Sequence, residues 1–323
     1  MKHAGGATPL LALAIVATAA CGCPAVLAQS YPAKPVRFIV GPGPDVLPRL
    51  LGQKLTDSWG QQVVVDQRPG AGGIIAADLV VKSLADGYTL LLTTGAYTIN
   101  ASLYQKLPYN LERDLAPVTL LASISFLVVV PPGLPVKSMQ ELIQLAKAKP
   151  GQLNCAHAGP GTTAHLGCEM LKSSTGIDIV PVPYKGVAPA LVDVMTGQAQ
   201  LMFAVAQGGL PQVQSGKLRA LAITGPKRNA ALPDLPTVTE AGYPGADFVS
   251  WNGVHVRSGT PKTVVAKLNS DLNRMLRLPD VQERMISLGL DAVGGTPEAF
   301  GRFVQEDIAR WARVIKESGV RVE

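Results

Sequence analysis

Short runs of apolar, β-branched residues alternate along this chain with segments of helical periodicity. The run VRFIV at 36–40 precedes a helical pattern at 45–59, and QQVVVD at 61–66 precedes another at 74–84. Parallel strands cannot be joined by a tight turn, so a strand, a crossover helix and a second strand are typical of parallel sheets. The chain is therefore predicted to be an α/β protein built on parallel sheets.

The same alternation continues through the middle of the chain, and the final third is helical. Ser138 and Glu141 have the spacing of a capping box at the start of one central helix. Near the end, Leu278-Pro279 breaks one helical pattern, and a long helix is predicted between Thr296 and Gly319. The remaining predicted strands are YTLLLTT (88–94), FLVVVPP (126–132), LNCAHAG (153–159), IVPVPY (179–184), AQLMFAV (199–205) and LRALAIT (218–224).

The loops after these strands are rich in Gly, Pro, Ser and Thr and poor in charge. Ligands of parallel sheets bind beyond the carboxyl ends of the strands, where helix N-termini direct backbone N–H groups inward. The sequence therefore predicts a neutral pocket whose donors are amides and hydroxyls. Its loops are GPGPD (41–45), TTGAYTIN (93–100), GPGTTAH (159–165), YKGVAP (184–189) and AVAQGGLP (204–211).

The first residues have the pattern of an export signal rather than of a folded element. Lys2 precedes an apolar run at 10–20. Ala28 is the last of a short group of residues of the kind after which signal peptidase cleaves. We expect residues 1–28 to be removed. Lipidation at Cys21 or Cys23 is the alternative, but the position three residues before either cysteine lacks the preferred Leu or Val. Beyond Ala28 no apolar stretch reaches the ~18 residues of a membrane helix, which favours a periplasmic protein without a membrane span.

Composition argues against nucleic acid as a partner. The chain has 29 basic and 23 acidic side chains, scattered rather than clustered, and aromatic residues make up only 5% of it. The sequence also contains no Gly-x-Ser-x-Gly elbow, P-loop or His-Glu-x-x-His motif. His165 could act as a base, but no nucleophile or orienting carboxylate accompanies it. We therefore predict no catalytic residues, and the protein is expected not to be an enzyme.

One stretch, NCAHAGPGTTAHLGCEML at 154–171, formally fits a dinucleotide fingerprint. Gly159, Gly161 and Ala164 have the required spacing between a strand and a helix. The acidic partner at the right separation is Asp178, which precedes the next strand and so lies at the opposite edge of the sheet. The fingerprint therefore fails, and no cofactor is predicted. An exported nucleotide-dependent oxidoreductase is kept as an alternative function.

The same stretch contains the cysteines Cys155 and Cys168 and the histidines His157 and His165. Zinc sites use close pairs on tight turns, so we predict no metal. A disulfide between the two cysteines is the alternative interpretation. A strand and the helix packed on it lie ~10 Å apart, however, whereas a disulfide needs Cα atoms within ~7 Å. Both cysteines are therefore interpreted as small core residues.

Several long motifs in fixed order resemble one known family. GQQVVVDQRPGAGGIIAADLVVKSLADGYTLLLTT (60–94), GTTAHLGCEMLKSSTGIDIVPVPYKGVAPALVDVMTGQAQLMF (161–203) and GKLRALAITGPKRNAALPDLPTVTEAGYPG (216–245) are similar to the Bug (TctC-like) proteins. These proteins are the extracytoplasmic solute receptors of tripartite tricarboxylate transporters. The similarity extends from about Tyr31 to the end of the chain.

The resemblance implies a two-domain, periplasmic-binding-protein-like (Venus flytrap) fold with an interdomain cleft. The first domain would combine residues 30–130 with 252–323, and the second would be 131–251. Such a protein captures a small carboxylate or related organic molecule and delivers it to membrane transporter subunits. A ligand sensor that presents its closed form to a signalling partner is the alternative.

The resemblance also implies the ligand-binding residues. Thr162 and Thr163 would donate hydroxyls to an anion, and His165 would orient their loop or be a satisfied buried histidine. Lys185 would either contact the ligand or be a solvated charge on the rim of the cleft. The full predicted set is Gly41, Gly43, Asp45, Thr93, Thr94, Gly95, Tyr97, His157, Gly159, Gly161, Thr162, Thr163, His165, Tyr184, Lys185 and Ala204.

Two departures from the family pattern make the predicted pocket less polar. The first loop lacks the usual Gly pair, and Pro42 and Pro44 have no N–H to donate. Where the family commonly has Asp-Asn, this chain has Ala204 and Val205. We therefore hypothesise altered selectivity, for an aromatic or other less polar carboxylate.

Overall fold

A computed structural model of the chain describes residue 1 and residues 31–41, 45–68, 70–229 and 231–320. The predicted signal segment 1–28, with its lipidation alternative, and Gly43 lie outside the described residues. Contacts divide the chain into two compact units, Met1–Tyr31 and Pro32–Glu323, and every element below belongs to the second. Among the described residues, no helix has both the length and the apolar character that a membrane crossing requires.

The first sheet is mixed rather than parallel. β1 (Val36–Val40) pairs in parallel with β2 (Val63–Gln67) and β3 (Thr89–Thr94), whereas β10 (Ser250–Arg257) runs antiparallel between β3 and β4 (Leu115–Ile124). Neither β4 nor β10 was predicted as a strand from the sequence, and an apolar run has the same composition in either direction. The strands, numbered in chain order and given in spatial order, are β11 (Asp291–Ala292), β4 (Leu115–Ile124), β10 (Ser250–Arg257), β3 (Thr89–Thr94), β1 (Val36–Val40) and β2 (Val63–Gln67).

The second sheet is also mixed. β6 pairs in parallel with β7 and β8, and β5 runs antiparallel to β8 and β9. Ser125 alone separates β4 from β5, so the chain leaves the first sheet there and returns between β9 and β10. In spatial order the strands are β7 (Val180–Pro183), β6 (Asn154–His157), β8 (Leu201–Val205), β5 (Phe126–Val130) and β9 (Arg219–Ile223).

The helices begin and end where local chemistry directs them. The hydroxyl of Ser138 accepts a hydrogen bond from Glu141 N–H, and that of Thr296 accepts one from Ala299 N–H, as their N-cap positions predict. The helices are α1 (Val46–Trp59), α2 (Ile74–Val81), α3 (Gly95–Leu103), α4 (Leu111–Asp114), α5 (Met139–Ala148), α6 (Thr163–Thr175), α7 (Val187–Met195), α8 (Ala206–Gln214), α9 (Lys262–Leu276), α10 (Pro279–Ser287) and α11 (Pro297–Ser318).

Helix α11 contributes to the cores of both sheets. Phe300 and Val304 pack in the first core, whereas Trp311 and Val314 pack in the second. Strand β5, which the sequence analysis assigned to the first domain, pairs in the second sheet. Because residues 32–323 form one compact unit, the predicted domain boundaries stay a prediction.

Candidate functional site

The starts of several helices lie at the junction of the two sheets. Helix α1 begins at Val46, α3 at Gly95, α6 at Thr163, α7 at Val187 and α8 at Ala206. Four of these helices contribute their first or second residue to a cavity of about 550 Å³, and α3 contributes its N-cap threonine. The cavity therefore lies where unpaired backbone N–H groups of helix N-termini are concentrated.

A second, wider groove of about 740 Å³ lies elsewhere, along residues 137–140 and 231–236. All of its lining residues belong to the part of the chain between β5 and β10, so loops from the first sheet do not reach it. The cavity between the sheets is the better candidate site, because it alone of the two is lined by both halves of the fold.

A polar junction lies on one wall of the cavity. A side-chain carbon placed on Gly95 would lie 3.2 Å from Oγ of Ser250 and 3.5 Å from Oγ1 of Thr163. Thr94 and Thr163 are N-terminal residues of helices in different halves of the fold, and all three hydroxyl residues line the cavity. Within the described part of the chain, Thr163 and Ser250 have no side-chain hydrogen bond. These groups can therefore bind a ligand without giving up an internal partner.

The loop before α6 is held by two buried histidines. The rings of His157 and His165 stack with their centroids 4.2 Å apart. Nδ1 of His157 lies 2.9 Å from the carbonyl oxygen of Gly159, and the N–H of Gly161 donates to Nδ1 of His165 at 3.2 Å. The hydroxyl of Thr162 also donates to that Gly159 oxygen, at 2.8 Å. The histidines thus position the loop, as the sequence analysis proposed for His165, rather than line the cavity.

Burial sets the charge of these histidines. It lowers the pKa of His157 to about 4, with the neighbouring His165 as a second cause. Burial, followed by the charge of Lys172, also lowers the pKa of His165. At neutral pH both rings are therefore neutral, and Nδ1 of His165 is free to accept the bond from Gly161 N–H.

Cys155 and Cys168 form a disulfide, which corrects their interpretation as separate core residues. Their Cα atoms lie 6.3 Å apart, within disulfide range. The expected separation was too large because Cys168 is on the second turn of α6, close to the short loop that joins this helix to β6. Both thiols are bonded to each other, so they are not available as metal ligands. Among the described residues, no group of three His, Cys, Asp or Glu side chains has the geometry of a metal site.

Removing this disulfide is expected to destabilise the fold. The bond closes a loop of sequence separation 13, for which the entropy model gives about 3 kcal/mol. We expect the Cys155→Ala, Cys168→Ala double variant to melt on the order of 6 to 12 °C lower than the parent protein, measured by calorimetry. Dithiothreitol should lower the melting temperature of the parent alone. Equal melting temperatures for parent and variant would contradict a stabilising role.

Thr94, Thr162 and Thr163 are the predicted site residues that line the cavity. Thr93, the neighbour of Thr94, is fully buried and pairs with the ring of His255 at 2.8 Å. Alternate residues of a strand point to opposite faces, so adjacent threonines on β3 cannot both face a ligand.

The same alternation applies to Ala204, which the sequence analysis placed on the cleft wall. Ala204 is buried in an apolar cluster with Met202, on the face of β8 away from the cavity. Its neighbour Val205 lines the cavity instead. Tyr97 on α3 is likewise fully buried, and its hydroxyl would contact a side chain placed on Gly41.

The other described members of the predicted set do not line the cavity. Asp45 precedes α1 and accepts a hydrogen bond from Nε of Arg49 at 2.6 Å. The hydroxyl of Tyr184 donates to Asp193 at 2.8 Å, and Lys185 is exposed, as a solvated rim charge would be. Asp45 and Tyr184 therefore have hydrogen-bond partners that are not part of the cavity lining, and Lys185 is exposed to solvent.

The dinucleotide reading fails on the geometry that the sequence analysis anticipated. The carbonyl oxygen of Asp178 accepts a hydrogen bond from Gly151 N–H, before the start of β6. The glycines of the fingerprint follow the other end of that strand. An acidic side chain at the opposite edge of the sheet cannot bind the ribose of a nucleotide held by those glycines.

Sequence reasoning missed several cavity residues. Gln207, Ser250 and Asn252 contribute polar side chains, and Leu288 and Leu290 form part of the apolar wall. Recognising β10 as antiparallel would have identified the serine and the asparagine, because its amino end then lies beside the carboxyl end of β3. No sequence signal marks the two leucines, which follow α10 in an irregular segment.

The cavity is mainly apolar, and none of its described lining residues carries a charge. Partly or fully buried aliphatic and aromatic side chains form most of the wall. They are Leu47, Leu92, Ile124, Phe126, Val205, Leu288 and Leu290.

Comparisons with known proteins all identify the same protein family. A family model described as "Tripartite tricarboxylate transporter family receptor" matches residues 47–320. The chain is 37% identical to Protein BugT of Bordetella pertussis over 314 residues, which cover 95% of this chain and 96% of BugT. It is 35% identical to the solved structure "R. palustris Rpa4515 with adipate", with a TM-score of 0.79 and coverage of 90% of this chain and 99% of that chain. MatC from Rhodopseudomonas palustris with bound malate is 32% identical, with a TM-score of 0.74 and coverage of 88% and 100%.

Proposed function

The chain belongs to the tripartite tricarboxylate transporter family of receptors, and on this premise we propose that it captures a small organic carboxylate in the cavity between its sheets. The observation that carries the proposal is the polar junction of Thr94, Thr163 and Ser250. Hydroxyls and helix-start amides from both halves of the fold converge there, and neutral donors of this kind stabilise a carboxylate. Solved relatives with adipate and with malate support a carboxylate as the ligand class.

Capture would stabilise a closed arrangement of the two halves. A ligand shifts a conformational equilibrium only when it binds one state more tightly than the other. A carboxylate that bonds both to Thr94 and to Thr163 does so, because it bridges residues from the two sheets. The bound molecule would leave unchanged, since no described residue of the lining supplies an acid, a base or a charged group for catalysis.

Receptors of this family are periplasmic, and we propose the same location here, with residues 1–28 as the export signal. The membrane subunits of a tripartite transporter are the proposed partners. Loss of labelled ligand uptake in cells that lack this receptor would support delivery to a transporter. Normal uptake together with a lost transcriptional response would support a sensory partner instead.

Thermal shift with a carboxylate library tests the proposed capture. A ligand at 100 times its Kd adds about 2.7 kcal/mol of stability, so at least one carboxylate should raise the melting temperature of the chain without residues 1–28. For the best ligand, we expect the Thr163→Val, Ser250→Ala double variant to bind at least about 100-fold more weakly, since it loses two hydrogen bonds to a charged group.

Thr196→Val is the matched control, because the Thr196 hydroxyl is exposed and bonds only carbonyls of its own helix. This variant should bind like the parent protein. A library in which no carboxylate stabilises the parent would contradict the proposed function.

A further inference from the structure

The helix starts around the cavity are not equally available to an anion. At α1, Asp45 places a carboxylate of this chain's own immediately before the first helical residue, in an ion pair with Arg49. Pro42 and Pro44, just ahead of it in the sequence, have no N–H to donate. Arg49 is thus already paired with Asp45, so a ligand carboxylate near this helix start would have to compete with Asp45 for that cation.

The start of α8 is covered by the chain itself. A side-chain carbon placed on Gly289 would lie 2.8 Å from the backbone nitrogen of Gln207, so the segment 288–290 packs directly on this amide. The preceding amide, of Ala206, donates to the carbonyl oxygen of Ser125 at 3.1 Å. The first N–H group of α8 is therefore paired within the chain, and the second lies against the segment 288–290.

Helix α7 presents an apolar side chain to the cavity rather than a capping group. Its first residue, Val187, lines the cavity and is 39% exposed. Val46 at the start of α1 also lines the cavity and is 37% exposed. Apolar side chains left this open at a cavity mouth gain free energy when an apolar ligand covers them.

The polar junction is thus the one described place in the cavity where side-chain hydroxyls and helix starts from both sheets converge with free donors. Leu288 and Leu290 form an apolar part of the lining, together with Ile124, the cross-strand neighbour of Ser250, and Phe126, the first residue of β5. A second carboxylate on a ligand would lie against these side chains. Gln207 and Asn252 are further polar side chains of the lining, and neither carries a charge. A second carboxylate would therefore lose water without gaining a cationic partner, which is costly for an ion.

We propose that the ligand is an amphipathic monocarboxylate, with its carboxylate at Thr94, Thr163 and Ser250 and an alkyl or aryl body against Leu288 and Leu290. The inference rests on the proposed function and specifies its substrate class. It also identifies Leu288 and Leu290 as residues that determine specificity.

Titration calorimetry with ligand pairs of equal chain length tests the class. Hexanoate is compared with adipate, octanoate with suberate, and benzoate with terephthalate, on the chain without residues 1–28. In at least one pair we expect the monocarboxylate to bind about 10-fold or more tightly than its dicarboxylate, because only the latter desolvates an unpaired charge. Equal or tighter binding of the dicarboxylate in every pair overturns the inference but leaves the proposed function standing. Failure of every carboxylate in this set and in the library removes both.

A charge introduced on the apolar wall tests the orientation. Leu290→Lys supplies a cation for a distal carboxylate, so we expect its affinity ratio of dicarboxylate to monocarboxylate to rise about 10-fold over the parent protein. Ile286→Lys is the matched control, because Ile286 is 73% exposed, lies in the adjoining helix and does not line the cavity. Its ratio should equal that of the parent. An unchanged ratio in a folded Leu290→Lys protein would overturn the placement of the ligand body.

Discussion

Gly95→Val is expected to abolish carboxylate binding while the protein remains folded. The new Cβ atom would lie 3.2 Å from Oγ of Ser250 and 3.5 Å from Oγ1 of Thr163, so the methyl groups beyond it would fill the polar junction. The ligand would lose both its space and its hydroxyl donors, and we expect at least about a 100-fold loss of affinity. Gly95→Ala adds only the Cβ atom, so we expect a smaller loss of affinity, about 10-fold.

The fold should tolerate these changes. Gly95 does not have a positive φ, so a side chain at this position causes no backbone strain. The closest neighbours are hydroxyl groups on side chains that can rotate. Gly133→Val is a suitable control, since a side-chain carbon there would meet no atom within 4 Å. Calorimetric affinities and melting temperatures of the three variants separate blocked binding from misfolding. Parent-like affinity in Gly95→Val would show that the junction is not the carboxylate site.

Acidification from pH 7 to pH 4 is expected to cost the protein several kcal/mol of stability. Burial lowers the pKa of His157 to about 4 and that of His255 to about 3. In the unfolded chain each ring has a pKa near 6.5, so below that pH the unfolded state binds more protons than the folded state. Stability is therefore at its full value above about pH 6.5 and decreases as the pH falls toward the folded pKa values. For His157 alone, the shift corresponds to about 3 kcal/mol.

Variants and spectra can separate the histidines from the carboxylates that titrate in the same range. The chain has four histidines, and the fourth, His3, lies in the predicted signal segment. In the protein without residues 1–28, we expect neither His157 nor His255 to titrate between pH 8 and pH 5.5 by NMR. We also expect His157→Gln to unfold with a weaker pH dependence than the parent protein. A His157 resonance with a midpoint near 6.5 in the folded protein would contradict its buried, neutral state.

Much of the fold could be predicted because the relevant signals are local. Strand β1 occupies the predicted residues 36–40, and α11 begins after Thr296 and ends before Gly319, as the capping pattern indicates. Apolar periodicity and capping chemistry depend on residues within a few positions of one another. They therefore act in the same way whatever the rest of the chain does. Strand direction is not local, so the antiparallel course of β5 was not foreseen. Strands β4 and β10 were not among the predicted strands at all.

The candidate site could be predicted only as a set of loops. The loops 93–100 and 159–165 do reach the cavity, through Thr94 and Thr162–Thr163. Side chains alternate between the two faces of a strand, so the preceding strand decides which residue of each loop faces the ligand. In β3 this alternation directs Thr93 away from the cavity. The disulfide depended in the same way on how closely α6 follows β6.

The sequence alone indicated where most of the strands and helices form, and it placed glycine- and threonine-rich turns at their junctions. Only the tertiary structure decided that Thr163 and Ser250 both lie beside Gly95, and that the segment 288–290 packs on the start of α8 and gives the cavity an apolar wall. The reason is physical. Local conformation follows from steric and hydrogen-bonding preferences of neighbouring residues, whereas contacts between distant residues follow from how whole sheets and helices bury their apolar faces together.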